Sequence, residues 1–83
     1  MSAVRKRSVA IRGHRTSYSL EDEFHAELER IAAARRIPLA ALVAEVDAAR
    51  DGATNLSSAL RLHVLDALRD AARPAGAADA PSA

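Results

Sequence analysis

The sequence predicts a small, mainly α-helical domain in which one N-terminal strand precedes three helices. Its 83 residues are enough for a single domain. Near the N-terminus, polar and apolar side chains alternate with the period of two that is typical of a half-buried strand. Three later segments carry apolar residues at helical spacing and are separated by proline, glycine or asparagine.

The strand is predicted within residues 8–20, which are rich in β-branched and small polar residues and contain a break at Gly13. Successive side chains of a strand point to opposite faces. The face expected to pack on the helices contains Thr16, Tyr18 and Leu20. The face expected to be exposed contains Arg15, Ser17 and Ser19. Residues 8–11 are compatible either with an earlier short strand or with an extended arm.

The first helix is predicted to begin after Ser19, which stands three residues before Asp22 in a capping-box arrangement. Its apolar stripe consists of Phe24, Leu28, Ile31 and Ala32. The helix is predicted to end at two basic residues, Arg35 and Arg36. Pro38 then forces a boundary, because proline suits the first turn of a new helix. The stripe of this second helix consists of Leu39, Leu42, Val43 and Val46.

The third helix is predicted to begin at Asn55, a residue that favours the N-cap position. Leu62 and Leu65 fall outside its apolar stripe. Two interpretations stay open: these leucines contact a second subunit, or they are ordinary exposed residues.

The composition favours a homodimer. Of the hydrophobic residues, 21 are alanines, so few large side chains are left to build a core. A lone strand also leaves backbone groups without partners. The same strand of a second subunit, paired antiparallel about a two-fold axis, would satisfy them and produce a two-stranded ribbon.

An enzyme is not expected. The chain has no cysteine, and its three histidines lack the spacing of four residues that places two ligands on one helical face. The sequence contains no nucleophile-elbow, phosphate-loop or dinucleotide-binding motif, and we expect no cofactor and no metal. No apolar run is long enough for a membrane span or a signal peptide, so a cytoplasmic protein without a membrane partner is expected.

Charge divides the chain unevenly. Residues 1–16 carry five basic side chains and no acid, whereas residues 17–83 carry 7 basic and 11 acidic side chains. A basic leading segment is suited to a polyanion, although a solvated tail is the simpler alternative. The predicted organisation is a flexible basic arm at 1–7, a folded domain at 8–72 and a disordered tail at 73–83, which is rich in proline, glycine and alanine.

A ribbon built from this strand fits the DNA major groove. Arg15 can donate two hydrogen bonds to guanine, and Ser17 and Ser19 can bond several base edges. His14 lies beside Gly13 between arginines, where it either contacts a phosphate or simply forms the turn.

The order of these elements resembles the ribbon-helix-helix DNA-binding fold. The similarity rests on the strand, on S-L-E-x-x-F-x-x-x-L from Ser19 to Leu28, and on L-x-x-L-V from Leu39 to Val43. Two blocks, R-S-V-x-I-x-G-H-R-T-S at residues 7–17 and N-L-S-S-A-L-R at residues 55–61, resemble a subfamily of small bacterial proteins with this fold.

The resemblance implies roles for individual residues. The base readers would be Arg15, Ser17 and Ser19. The dimer core would consist of Thr16, Tyr18, Leu20, Phe24, Leu28, Ile31, Leu42, Val43 and Val46. The resemblance places phosphates at the start of the second helix, at Leu39 and Ala40. The charge of the leading segment adds further expected phosphate contacts at Arg5, Lys6, Arg7, Arg12 and His14.

Two positions depart from the family pattern. Arg36 stands in the inter-helix turn where glycine is usual, so it must accept a left-handed backbone or change the turn. Pro38 stands where a serine or threonine cap is usual and offers no N–H donor, which predicts a weaker phosphate clamp.

The predicted function is that of a homodimeric, sequence-specific DNA-binding protein that regulates transcription. The alternative is a protein-interaction module, an antitoxin-like or adaptor dimer, that holds another protein through its third helix.

Overall fold

The computed structural model of the chain describes residues 3–73, which form a β-hairpin followed by three helices. The elements are β1 (Val4–Ile11), β2 (His14–Glu21), α1 (Asp22–Ala34), α2 (Leu39–Ala49) and α3 (Leu56–Ala72). The prediction of a mainly helical fold with an added third helix is confirmed. Most of the expected disordered tail, residues 74–83, lies outside the described residues.

The strand that precedes α1 finds its partner within its own chain. β1 pairs antiparallel with β2 in a register that runs from Val4 opposite Glu21 to Ile11 opposite His14. The structure therefore differs from the expected arrangement in two ways. Residues 4–7, expected to be part of a flexible arm, belong to β1, and β2 does not require a second subunit to satisfy its backbone along this edge.

A two-residue turn joins the strands. Arg12 and Gly13 have φ angles of 53° and 80°, and positive φ at both central positions is the signature of a type I′ turn. The twist of this turn matches that of the paired strands, which is why it is favoured in tight hairpins. Gly13 adopts this conformation without the strain that a side chain would add.

The boundary before α1 corrects one prediction. The N-cap of α1 is Glu21 and makes no side-chain capping bond, so the capping box predicted at Ser19 was wrong. The reason is that β2 continues through Ser19 to Glu21, where the chain enters the helix.

Between α1 and α2, Arg36 accepts the left-handed backbone, with φ at 57°. Its N–H donates to the carbonyl of Ala33, and the N–H of Ile37 donates to the carbonyl of Ala32, both at 3.0 Å. This pair of bonds is a Schellman motif, in which glycine normally occupies the left-handed position. Pro38 is the N-cap of α2.

The predicted N-cap of α3 is present, because the Asn55 side chain accepts a hydrogen bond from the N–H of Ser58 at 2.8 Å. The inner face of α3 packs into the core through Leu56, Leu60 and Val64. Leu62 and Leu65 lie outside this face and are 55% and 39% exposed.

One hydrophobic core joins the hairpin to all three helices. Of the nine residues expected to form a dimer core, eight belong to the hydrophobic core of the single chain or pack against it. Those that are buried are Tyr18, Leu20, Leu28, Leu42, Val43 and Val46. Those that are half-buried are Thr16, Phe24 and Ile31. The hairpin thus lies on the helices with one face inward and the other face free.

Candidate nucleic-acid interface

The free face of the hairpin presents the three predicted base readers in one row. Arg15 and Ser17 are exposed and Ser19 is half-buried, whereas Tyr18 and Leu20 on the opposite face are buried. Residues two apart in a strand are separated by about 6.8 Å. The row therefore extends over about 14 Å, which is the length of four base-pair steps.

β1 contributes a second row to the same face. Lys6 lies opposite Ser19, Ser8 lies opposite Ser17, and Ala10 lies opposite Arg15. All three β1 residues are exposed. We call the six residues the outer face of the hairpin: Lys6, Ser8, Ala10, Arg15, Ser17 and Ser19.

The outer face carries positive charge and hydroxyl groups. Glu21, the last residue of β2, follows Ser19 on this side of the strand. Its carboxylate Oε1 accepts a hydrogen bond from Arg61 Nε at 3.0 Å. This bond lowers the pKa of Glu21 and keeps the carboxylate ionised and paired. The electrostatic repulsion that an unpaired acid would exert on a polyanion is therefore reduced.

α3 holds β2 along the edge that faces away from β1. The N–H of Ser19 donates to Ser57 Oγ at 2.9 Å, and Arg61 Nη2 lies 3.5 Å from the carbonyl oxygen of Ser19. The Arg61 guanidinium also lies over the Phe24 ring, 5.9 Å from its centroid. The first two turns of α3 thus fix the backbone of one predicted reader.

Two of the predicted phosphate ligands lie on the opposite side of β1. Arg5 Nε and Arg7 Nη2 each lie 3.2 Å from Oδ1 of Asp22, the first residue of α1. Arg7 is half-buried, and its Nε is buried with no hydrogen-bond partner. Both arginines are therefore ion-paired with one carboxylate of the same chain. Lys6, which lies between them in the sequence, belongs to the outer face.

The other predicted phosphate ligands are found at two places. Arg12 and His14 are exposed at the hairpin turn. Leu39 and Ala40 open α2, where the first backbone N–H groups have no acceptor within the helix. The structure therefore does not gather the predicted phosphate ligands into one patch but distributes them over the hairpin sides, the hairpin turn and the start of α2.

The histidine in α1 has a structural environment. His25 is buried, stacks on Tyr18 with ring centroids 6.5 Å apart, and has Nδ1 at 3.6 Å from Glu29 Oε1. Burial raises the pKa of the Tyr18 hydroxyl. Within residues 3–73, no three histidine or acidic side chains are grouped so that they could hold a metal ion.

Sequence reasoning missed Ser8 as a member of the exposed face and Asp22 as the partner of two arginines. A signal for the first was present, because Arg12-Gly13 separates two runs rich in strand-forming residues. No comparable signal exists for the contacts of Ser57 and Arg61, which lie 38 and 40 residues from their partners in β2.

Comparison with known proteins agrees with this architecture. The family model described as a ribbon-helix-helix domain matches residues 4–68, which include the hairpin, α1, α2 and most of α3. Searches of curated proteins and of solved structures found no match. Among residues 3–73, no helix combines the length and apolar character needed to cross a membrane.

Proposed function

Because the chain belongs to the ribbon-helix-helix family, we propose that it is a homodimeric, cytoplasmic transcriptional regulator that binds double-stranded DNA sequence-specifically. Proteins of this family are typically DNA-binding transcription regulators or antitoxins, and the family fold is non-enzymatic. The hairpin enters the major groove, which accommodates a two-stranded ribbon.

One observation carries this proposal: the row of Arg15, Ser17 and Ser19 lies on the outer face of a hairpin whose other face is anchored in the core. Arg15 is suited to donate two hydrogen bonds to guanine O6 and N7. Each serine hydroxyl can donate to or accept from a base edge. Anchoring keeps the three side chains at fixed spacing, so that a matching base sequence is preferred over others.

Phosphate contacts flank this row. Arg12 and His14 at the hairpin turn are exposed and can contact the phosphates of one DNA strand. The N–H groups of Leu39 and Ala40 supply a helix N-terminus, a common site for phosphate oxygens. Arg5 and Arg7 remain proposed contacts, but to reach phosphates they have to share or leave the Asp22 carboxylate.

A direct test compares DNA fragments selected by the native chain with those selected by the Arg15→Ala, Ser17→Ala variant. We expect the native protein to enrich one motif and the variant to lose preference at the positions that Arg15 and Ser17 read. Arg15→Ala alone is expected to weaken binding to that motif by about 1 to 3 kcal/mol. Failure of a native dimer to bind any DNA at low salt would contradict the proposal.

The second candidate function, a protein-interaction module, is favoured by the outer side of α3. Leu62 and Leu65 are 55% and 39% exposed, and neighbouring exposed apolar side chains are typical of interaction surfaces. A Leu62→Lys, Leu65→Lys variant separates the two candidates. Loss of a captured partner protein with DNA binding intact would assign α3 to contacts with another protein.

A further inference from the structure

The hairpin brings a second strand to the surface that is proposed to read DNA. In β1, the exposed side chains that share a face with Ser17 and Ser19 are those of Val4, Lys6, Ser8 and Ala10. Neither Ser8 nor Ala10 belongs to the strand that directly precedes α1, the only strand to which base reading was assigned from the sequence.

The cross-strand pairs on this face are close. The N–H of Ser19 points away from β1, because it donates to Ser57 Oγ in α3. Lys6 and Ser19 therefore form a non-hydrogen-bonded pair, and alternation makes Ser8 and Ser17 another. In such pairs the Cβ atoms are about 4.5 to 5.5 Å apart, so each pair forms one level of the outer face.

The dimensions of the groove allow both rows to act together. The strands are about 4.8 Å apart, whereas the major groove is about 12 Å wide. Successive levels are about 6.8 Å apart along the strands, which corresponds to two base-pair steps. The two residues of one level thus face the same or adjacent base pairs.

Resting on the proposed function, we propose that Lys6 and Ser8 are additional base-reading residues, so that the hairpin of one subunit carries a complete two-stranded reading surface. Lys6 donates to guanine O6 or N7 next to the base read by Ser19. Ser8 and Ser17 present two hydroxyl groups to one base step. Ala10 offers its methyl group to a thymine methyl beside the base read by Arg15.

Arg5 provides a matched control for Lys6. The two cations are adjacent in sequence, but Arg5 is paired with Asp22 on the other side of the strand, at 3.2 Å. Alanine at either position removes one positive charge, so both variants change the bulk attraction to DNA in a similar way. Only the Lys6 variant removes a side chain from the outer face.

The experiment selects bound DNA with the native chain and with single alanine variants of six residues: Lys6→Ala, Ser8→Ala, Ser17→Ala, Ser19→Ala, Arg5→Ala and Arg15→Ala. The Lys6 and Ser8 variants are expected to lose about fivefold or more of the native preference at base positions within one step of those affected by Ser19→Ala and Ser17→Ala. Arg5→Ala is expected to keep the native motif. Thermal unfolding checks that each variant is folded.

Two results would overturn the inference, and they can be told apart. If Arg15→Ala relaxes the motif while Lys6→Ala and Ser8→Ala retain it at every position, β1 reads no bases and the proposed function stands. If the native chain itself binds no DNA, or binds without any preferred motif, the proposed function fails and the inference fails with it.

Discussion

Two arginines adopt a backbone conformation that usually belongs to glycine. Within the described residues, Arg12 and Arg36 are the non-glycine residues with positive φ, at 53° and 57°. For a residue with a Cβ atom, this left-handed conformation costs about 1 to 2 kcal/mol. Both side chains are exposed, so the cost lies in the backbone and is not relieved by burial.

Replacing Arg36 by glycine is expected to stabilise the protein by about 1 kcal/mol, because glycine meets no Cβ penalty in the left-handed position of the Schellman motif. Chemical denaturation of the native and Arg36→Gly proteins measures the difference in free energy of unfolding. The control is Ala34→Gly, two residues earlier at the last residue of α1, which is expected to destabilise the protein by about 0.5 to 1 kcal/mol. Equal destabilisation by both changes would show that Arg36 is not strained.

At the scale of elements, α3 acts as a support for β2. Ser57 accepts the outward N–H of Ser19, and Arg61 pairs with Glu21 at the end of the same strand. The strand is therefore bounded by β1 on one edge and by α3 on the other. The helix that is added to the minimal fold thereby contributes to the geometry of the outer face.

Ser57→Ala is expected to leave the half-buried N–H of Ser19 without its acceptor and to destabilise the protein by about 1 kcal/mol. The sharper measurement is hydrogen exchange of the Ser19 amide, which we expect to accelerate in this variant. Ser58→Ala is the control, because it removes the neighbouring hydroxyl of α3 while the N–H of Ser58 keeps its hydrogen bond to Asn55 Oδ1. If hydrogen exchange at the Ser19 amide is unchanged in the Ser57→Ala variant, Ser57 of α3 does not support β2 as described.

At the scale of the whole molecule, several surface carboxylates favour the ionised form in the folded chain. Arg61 lowers the pKa of Glu21, and Arg35 lowers the pKa of Glu45 through hydrogen bonds at 3.0 and 2.9 Å. Hydrogen bonds from Thr54 and Ala53 lower the pKa of Asp51. Because these groups bind protons more readily in the unfolded chain, acid favours unfolding.

We therefore expect the contribution of these carboxylates to the free energy of unfolding to be fully present above about pH 4.5, the ordinary pKa of glutamate. This contribution declines as the pH falls through the lowered pKa values. Melting temperatures between pH 7 and pH 3 measure this decline. A variant with Glu21→Gln, Glu45→Gln and Asp51→Asn is expected to show a smaller decline. An equal decline in both proteins would mean that other groups govern the acid response.

The sequence predicts those parts of the fold that depend on local periodicity. The inward positions of Tyr18 and Leu20 and the cap at Asn55 follow from alternation and from N-cap preference. The sequence leaves open whether residues 8–11 form a strand and favours a flexible arm at residues 4–7, because three of these four residues are basic. Their pairing in β1 depends on a turn at Arg12-Gly13. Arginine in the first position of that turn is a weaker hairpin signal than asparagine or aspartate.

The candidate site was less accessible, because its supporting contacts join distant parts of the chain. No local pattern indicates that Asp22 engages Arg5 and Arg7, or that Arg61 reaches Glu21. Lys6 was therefore grouped with its arginine neighbours by charge, although the register places it with Ser19.

The unequal edges of the hairpin limit how the sheet can grow. The outer edge of β2 is interrupted at Ser19 by the Ser57 hydroxyl. Along the eight residues of β1, the corresponding backbone groups meet no hydrogen-bonding partner within residues 3–73. A full-length strand from another molecule can thus add only beside β1, and any such addition would widen the ribbon from two strands to three or more.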